Sequence, residues 1–448
     1  MKRCDILIIG GGPAGMVSSM SSRAYYPDKK VIVVKSTEEN VVPCGIPYVF
    51  GNKLDSLEDD FVPCGEMALK SGIELLIDRA VDANYDDKIV TLASNETIKY
   101  DKLIIATGST PKKVPHGDIE GIHYISKNPK ELEATYKDLQ SAQNITIVGT
   151  GFIGLEVALE LYEKGKSISL VGKQLLGKAF DSEFKELIEK IILKDDISHV
   201  RAHLKEIKDT GGRVSSILTD NGEEIKCDAL IIAVGYAPDT TFAKDTGISL
   251  RGDFIYVDEY MRTVKKDVFA AGDCAQKRDF VTKRTTGIML ASTASAEART
   301  AVSALYGIKY SKTFSGTIAI FSTVIGDTCF ASAGVTQEMA HKEGLDIEAT
   351  TVVVDDKHPN KLPNSRKQTI KLICMKRSGV VVGAQIIGGI DVGEMINVIG
   401  VAIENRVSIY GLINLQVATH PLLTSSPTSY PIAQAAQMLD IKINQQRG

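Results

Sequence analysis

The sequence predicts an α/β chain in which two doubly wound parallel-sheet domains are followed by a smaller α+β domain. Three features predict this. A short apolar strand, a G-x-G-x-x-G turn and a periodic helix occur in that order near the N-terminus and again in "NITIVGTGFIGLEVALELYEKGKSISLV". Each copy is later closed by a segment of similar pattern, "KIVTLASNETIKYDKLIIATGSTPKKVP" and "VSSILTDNGEEIKCDALIIAVGYAPD". From about Thr313 the texture changes to alternating strands and one apolar helix, "DVGEMINVIGVAIEN". A chain of 448 residues is long enough for about two to four domains.

The first unit opens with "CDILIIGGGPAGMVSSMSSRAYY". Its basic start and apolar run have the look of a secretory leader, but the run is short and passes directly into glycines, so it reads as a strand over Asp5 to Ile9. Gly10, Gly12 and Gly15 form the turn, a helix runs from about Pro13 to Tyr25, and a second strand covers Val31 to Val34. Hairpin strands then return to a parallel strand that ends at Ala106, Thr107 and Gly108. The second unit places Gly149, Gly151 and Gly154 between strand and helix, and its closing strand ends at Gly235. "DVFAAGDCA" supplies another buried strand with Gly272 and Asp273 at its end, and "TGIMLASTASAEARTAVSALYG" a helix. The boundaries that follow are 1–112 with 245–312 for the first domain, 113–244 for the second and 313–448 for the third.

Apolar residues make up 44% of the chain, charged residues 24%, and the formal net charge is −4. With no long basic run, neither nucleic acid nor an anionic membrane surface is expected as a partner. No apolar run approaches the roughly 18 residues of a membrane span. The seven cysteines are dispersed without a C-x-x-C pair or a metal-ligand spacing, so no metal site is expected and a reducing, cytoplasmic location fits. Small-molecule chemistry is the class that remains.

Each G-x-G-x-x-G suits an anion. The first glycine permits the tight turn, the second lets the backbone approach a pyrophosphate, and the third lets helix and strand pack closely, so that amides at the helix N-terminus face the phosphates. One such motif is weak evidence. Two, each between a strand and a helix, predict two Rossmann-like dinucleotide-binding domains, against the alternative of two purely structural turns.

This order of segments resembles the FAD-dependent pyridine nucleotide–disulfide oxidoreductases over essentially the whole chain. The residues that carry the resemblance are Gly10, Gly12 and Gly15; "ATGSTP" at 106–111; Gly149, Gly151, Gly154 and Glu156; "AAGDCA" at 270–275; and "IMLASTASAEAR" at 288–299. The resemblance implies FAD on the first turn, with Pro13, Ala14, Lys35, Val81, Ala106, Thr107, Gly108 and Gly272 around it. It implies NADH or NADPH on the second, with Phe152 and Ile153 near the nicotinamide path, Glu156 in support and Gly235 in the same set. Asp273 would bond the ribityl chain, an acceptor carboxylate at a sheet's C-terminal edge meeting hydroxyl donors. Its alternative is a helix N-cap. Met289, Leu290 and Ala291 would stand beside the flavin pyrimidine, where a helix N-terminus favours the negative charge of reduced flavin. A homodimer joined through the C-terminal domain is implied as well.

Dithiol members of the family carry two cysteines separated by four residues. Glu39 and Val49 hold the positions five away from Cys44, which excludes that arrangement. The single-cysteine branch, which includes coenzyme A disulfide reductases, NADH oxidases, NADH peroxidases and sulfur or polysulfide reductases, places its cysteine where Cys44 falls in "VVPCGIPYVFG". Pro47 suits a first helical turn, and a thiol at that helix's N-terminus would have its pKa lowered toward a thiolate. A packed structural cysteine is the alternative. Cys64, in a second VPCG, reads as structural. Peroxidases and many oxidases of the branch carry a histidine in the first glycine turn, where this chain has Pro13 and Ala14, which weighs against peroxidase chemistry.

His420, in "VATHPLLTSSP", resembles the acid–base histidine that the partner subunit supplies in dithiol reductases, although Ser425 stands where its glutamate is expected. An interface or turn role is the alternative. Tyr430 resembles the partner-subunit tyrosine of coenzyme A disulfide reductases, or packs at the interface. The place of the acidic residue that usually bonds ribose hydroxyls, about 20 residues beyond the glycines, is held by Lys35 in the first unit and by Gly172, followed by Lys173, in the second, both departures from the family's pattern. Glu38 is a substitute in the first. Lys173 admits a 2′-phosphate, which leaves NADH against NADPH open. The expected reaction passes electrons from NAD(P)H through flavin to Cys44 and on to a small disulfide, persulfide or polysulfide, coenzyme A disulfide first. The alternatives are an oxidase reducing oxygen to peroxide or water, and a flavin redox sensor without turnover.

Overall fold

The computed structural model describes residues 1–192, 197–310 and 312–446. The chain divides into two compact units, 1–173 with 198–277 and 285–315, and 174–197 with 278–284 and 316–448.

The first unit holds two five-stranded sheets of the same design, parallel throughout. One runs in the order Val268–Ala270, Lys102–Ile105, Ile6–Ile9, Val31–Lys35, Glu74–Ile77. The other runs Ile122–Tyr124, Ala229–Ile232, Asn144–Val148, Ser167–Val171, Ser198–Val200. In each, the strand that feeds the glycine turn is central. Strands covered on both faces read as unbroken apolar runs, and Ile6 to Ile9 and Val31 to Val34 are all buried. The first strand begins at Ile6, one residue later than expected, because the Asp5 carboxylate turns to accept the Lys30 amide at 2.8 Å. The helix Pro13–Tyr25 packs against the helix Ala291–Ser303, and both bury small residues there, Ser18, Ser19 and Ser22 on one and Ala294, Ala298 and Ala301 on the other. Two short extended segments, Ser109–Pro111 and Tyr236–Pro238, leave the two sheets and pair antiparallel.

The second unit is an antiparallel five-stranded sheet in the order Phe321–Ile325, Thr328–Gly334, Val381–Gly388, Lys367–Met375, Ile347–Asp355. The helices Val392–Glu404 and Pro431–Gln445 share its core, burying Ile396, Ile399, Ile403, Ile432 and Leu439. The segment 174–197 belongs to this unit through Asp181. Its buried carboxylate accepts the amides of Gln337 (3.1 Å) and Glu338 (2.9 Å), pairs with the buried ammonium of Lys371 at 2.8 Å and accepts from Gln385 Nε2. Among the described residues, no helix is long and apolar enough to cross a membrane.

Candidate active site

At the two glycine turns the three glycines perform different tasks. Gly10 and Gly149 have φ of +114° and +119°, and a side chain there would drive into the carbonyls of Ala106 and Ala233, at 2.0 and 2.2 Å. A side chain on Gly15 or Gly154 would strike the carbonyl of Gly10 or Gly149, at 1.9 and 2.0 Å, so these permit helix and turn to touch. Around Gly12 and Gly151 a side chain would meet nothing within 4 Å. Both following helices, Pro13–Tyr25 and Phe152–Glu163, start without a side-chain cap and without an acidic residue in the first turn. Their amides and positive dipole ends are left for phosphate.

On the first turn's side, Asp273 is held by two donors that share one oxygen. Ser109 Oγ donates to Asp273 Oδ2 at 2.7 Å and Lys127 Nζ at 2.9 Å. Burial works against its charge, but Lys127 and Ser109 prevail and keep the carboxyl below its usual range. Lys127 also lies over the Tyr236 ring, 4.8 Å from its centre. Thr107 Oγ1 donates to the Asp239 carbonyl at 2.5 Å, and Gly108 O accepts from Asp239 N at 2.9 Å, so the "ATG" turn is tied to the returning chain. Met289 and Leu290 lie in the half-buried approach to the Ala291–Ser303 helix, which also lacks a side-chain cap. Val81 is skipped in its ladder, because the register of Ala80–Asn84 shifts between Ala80 and Asp82. Lys35 is buried, with Nζ donating to Glu38 O at 2.9 Å, while Glu38 is itself exposed. Asn40 Nδ2 donates to Gly11 O and to the buried Cys64 Sγ at 3.3 Å, which gives Cys64 a packed setting.

Cys44 alone among the seven cysteines is exposed. Its thiol does not have the lowered pKa expected from a helix N-terminus. The helix there, Ile46–Val49, is a single turn, and its dipole is outweighed by the protein packed around the sulfur, which raises the thiol, and by the carboxylates of Glu156 and Asp60; Lys127 pulls the other way. The chain after Cys44 is fastened to the Phe152–Glu163 helix: Lys53 pairs with the buried Glu160 and, at 3.0 Å, with Glu163. Gly51 leaves room for this, since a side chain there would fall 1.8 Å from Glu160 Oε2. Asp60, Lys127, Lys53 and Glu160 were not anticipated, and their separations along the chain leave no local pattern to find.

At the second turn Phe152 and Ile153 open the helix half-buried, with Glu156 one turn on and Gly235 beyond the strand Ala229–Ile232. Gly172 is closed against Thr150, where a side chain would meet Oγ1 at 2.5 Å, and its carbonyl lies 2.8 Å from His199 Nε2. Lys173 is exposed, 3.9 Å from Asp220. In the second unit, His420 is exposed on a loop. The Leu422 amide donates to His420 Nδ1 at 3.2 Å, which leaves Nε2 to carry the hydrogen of the neutral ring. Tyr430 is half-buried at the start of the Pro431–Gln445 helix, and burial raises its phenol.

Open glycine turns, uncapped helices and a carboxylate bonded through one oxygen fit an enzyme that holds two dinucleotides, one of them bearing a polyol. Residues 4–298 match the family model for pyridine nucleotide-disulphide oxidoreductase, and residues 320–430 that for the dimerisation domain. The chain belongs to this family and is an FAD-dependent NAD(P)H oxidoreductase. It is 29% identical over 430 residues, 91% of this chain and 93% of the relative, to an NADH oxidase of Enterococcus faecalis. It is 28% identical over 399 residues, 87% of this chain and 89% of the relative, to the NAD(P)H sulfur oxidoreductase (CoA-dependent) of Pyrococcus furiosus. Among solved structures, an NAD-dependent persulfide reductase from A. fulgidus superposes with a TM-score of 0.90 at 26% identity, covering 98% of this chain and 84% of that one. The water-forming NADH oxidase of Lactobacillus brevis shares the fold with a TM-score of 0.89 at 24% identity, covering 99% of this chain and 100% of that one.

Proposed function

We propose that this flavoenzyme delivers electrons from NAD(P)H to Cys44 and uses that thiol to reduce a low-molecular-weight disulfide, persulfide or polysulfide, with coenzyme A disulfide the leading substrate. The observation that carries the reading is Cys44 itself, the one exposed thiol, acted on by Glu156 from the second turn's helix and by Lys127 from the Asp273 cluster. The CoA-dependent sulfur oxidoreductase among the relatives supports it. FAD, when bound, supplies a two-electron relay between a nicotinamide and a thiol. Asp273, oriented by Ser109 and Lys127, would hold its ribityl chain, and the open turns would hold the phosphates.

Cys44 as thiolate attacks one sulfur of the disulfide. The sulfur–sulfur bond breaks, one thiolate leaves and takes a proton, and a mixed disulfide forms on Cys44. Two electrons then cleave that bond, release the second thiol and restore the Cys44 thiolate. One NAD(P)H, one proton and one disulfide thus give NAD(P)⁺ and two thiols. In a homodimer, His420 would supply the proton to the other subunit's site from Nε2, and Tyr430 would line the pocket.

The test is anaerobic stopped-flow with the holoenzyme. Cys44→Ser should leave flavin reduction by NAD(P)H intact and cut coenzyme A disulfide reduction by on the order of 10³-fold. Fast reoxidation by oxygen with none by disulfides rejects this reading in favour of the oxidase, which the E. faecalis relative's name supports. A flavin that NAD(P)H leaves oxidised rejects both and leaves a redox sensor.

A further inference from the structure

The helix Ala291–Ser303 carries a carboxylate that the reaction above does not use. Glu297 is fully buried, and so is Lys277, whose ammonium lies 3.6 Å from Glu297 Oε1. The two side chains grip Gly272 from both sides. Gly272 N–H donates to Glu297 Oε2 at 2.8 Å, while Lys277 Nζ donates to Gly272 O at 2.6 Å and to Ala275 O at 3.1 Å. Gly272 precedes Asp273 and is wedged against the first turn of the Pro13–Tyr25 helix, where a side chain on it would meet Ala14 Cβ at 2.8 Å. Glu297 Oε1 has no hydrogen-bond partner. A buried carboxylate with an idle oxygen and a single cation beside it is poised to accept a proton when negative charge arrives nearby.

We propose that Glu297 is a positioning residue that takes up one proton from solvent when the flavin is reduced, offsetting the charge that arrives with the hydride. NAD(P)H gives up a hydride and leaves as NAD(P)⁺. The flavin keeps both electrons and gains one negative charge; the Glu297 carboxylate binds one H⁺ and becomes a carboxylic acid. No electron passes through Glu297. Burial has already raised this acid to about 7, with Lys277 favouring its charge and Asp273 opposing it. Asp273 in turn faces Lys127, and the neighbouring Cys274 thiol is itself pushed up by burial. The Pro13–Tyr25 helix packed across it buries only Ala14, Gly15, Ser18, Ser19 and Ser22, and the strand Val268–Ala270 is apolar. Added negative charge beside Asp273 therefore moves Glu297 further toward the acid.

The inference rests on the flavin and not on Cys44, so it is tested in FAD-loaded Cys44→Ser protein, where no redox thiol titrates. Each proton taken up with two electrons changes the reduction equilibrium about tenfold per pH unit. With Glu297 present, dye-equilibration measurements should show a dependence approaching about hundredfold per pH unit just above neutrality, relaxing to about tenfold at higher pH. Glu297→Gln should show about tenfold throughout. A reduced-minus-oxidised infrared spectrum should also gain a protonated-carboxyl band that shifts on ¹³C-glutamate labelling. Equal slopes in the two proteins, or no labelled carboxyl band in the Cys44→Ser parent, overturn the proposal. Glu160, the other buried glutamate with an unpartnered oxygen among the described residues, is removed as the source by showing that the band persists in Glu160→Gln, so the infrared readout decides the matter even if Glu297→Gln fails to hold FAD.

Discussion

Cys44 and Asp60 form a pair of opposing demands. Asp60 is buried, its Oδ2 has no hydrogen-bond partner, and its Oδ1 sits where a side chain on Gly45 would come within 1.9 Å. Burial raises its carboxyl from 3.8 to about 6, and its charge then raises the Cys44 thiol. Asp60→Asn should lower the Cys44 pKa and Lys127→Met should raise it, both read from the pH profile of Cys44 alkylation. Asp60 also contributes to stability with a definite sign. The folded protein binds this proton more tightly than the unfolded chain, so the stability it contributes falls as pH rises from about 4 to about 6 and stays reduced above that. Asp60→Asn should stabilise the protein by roughly 1–3 kcal/mol near neutrality and by little at pH 4, checked by urea titration. Lys173, exposed beside Asp220, bears on cofactor choice. Lys173→Glu should lower kcat/KM for NADPH on the order of tenfold more than for NADH, and equal losses exclude a contact with a 2′-phosphate.

Within single elements, much was legible because the signals were local. Apolar runs marked the central strands, and the helix Pro13–Tyr25 falls where its glycines and periodicity placed it. Local signals also misled. Pro47 does open a helix, but one of four residues, too short to dominate the charge on Cys44. What could not be read were partnerships made across long separations: Lys53 with Glu160, Lys277 with Glu297 through Gly272, and Asp181 with Lys371. The last ties the segment 174–197 to the C-terminal sheet. Burial opposes the Asp181 charge, but the Glu338 amide and Lys371 outweigh it and hold the carboxyl below its usual range. Its contribution is present above about pH 4 and fades below it, the opposite sign to Asp60. Asp181→Asn leaves the Lys371 ammonium buried with only Glu183 beside it and should destabilise the protein by about 3–5 kcal/mol in urea. Asp181→Leu combined with Lys371→Met should recover part of that loss, since no buried charge is then stranded.

For the whole molecule, the unit that contains the dimerisation match carries exposed apolar side chains on its two long helices, Val398 and Val401 on one and Met438 and Ile441 on the other, with Leu422 and Leu423 on the His420 loop. These exposed apolar side chains are the candidates for the contact between subunits. Val401→Asp should shift the protein toward monomer in sedimentation. If His420 and Tyr430 serve the other subunit, that variant should lose disulfide reduction while NAD(P)H still bleaches its flavin.

The extended segments Ser109–Pro111 and Tyr236–Pro238 cross between the two parallel sheets in opposite directions and are bonded to each other. Two crossings bonded to each other resist sliding of one sheet's domain past the other, because any such shift must break backbone hydrogen bonds. The ion pairs Lys53–Glu160 and Lys127–Asp273 span the same gap, so a hydride donor held at the second glycine turn keeps one direction of approach to the first.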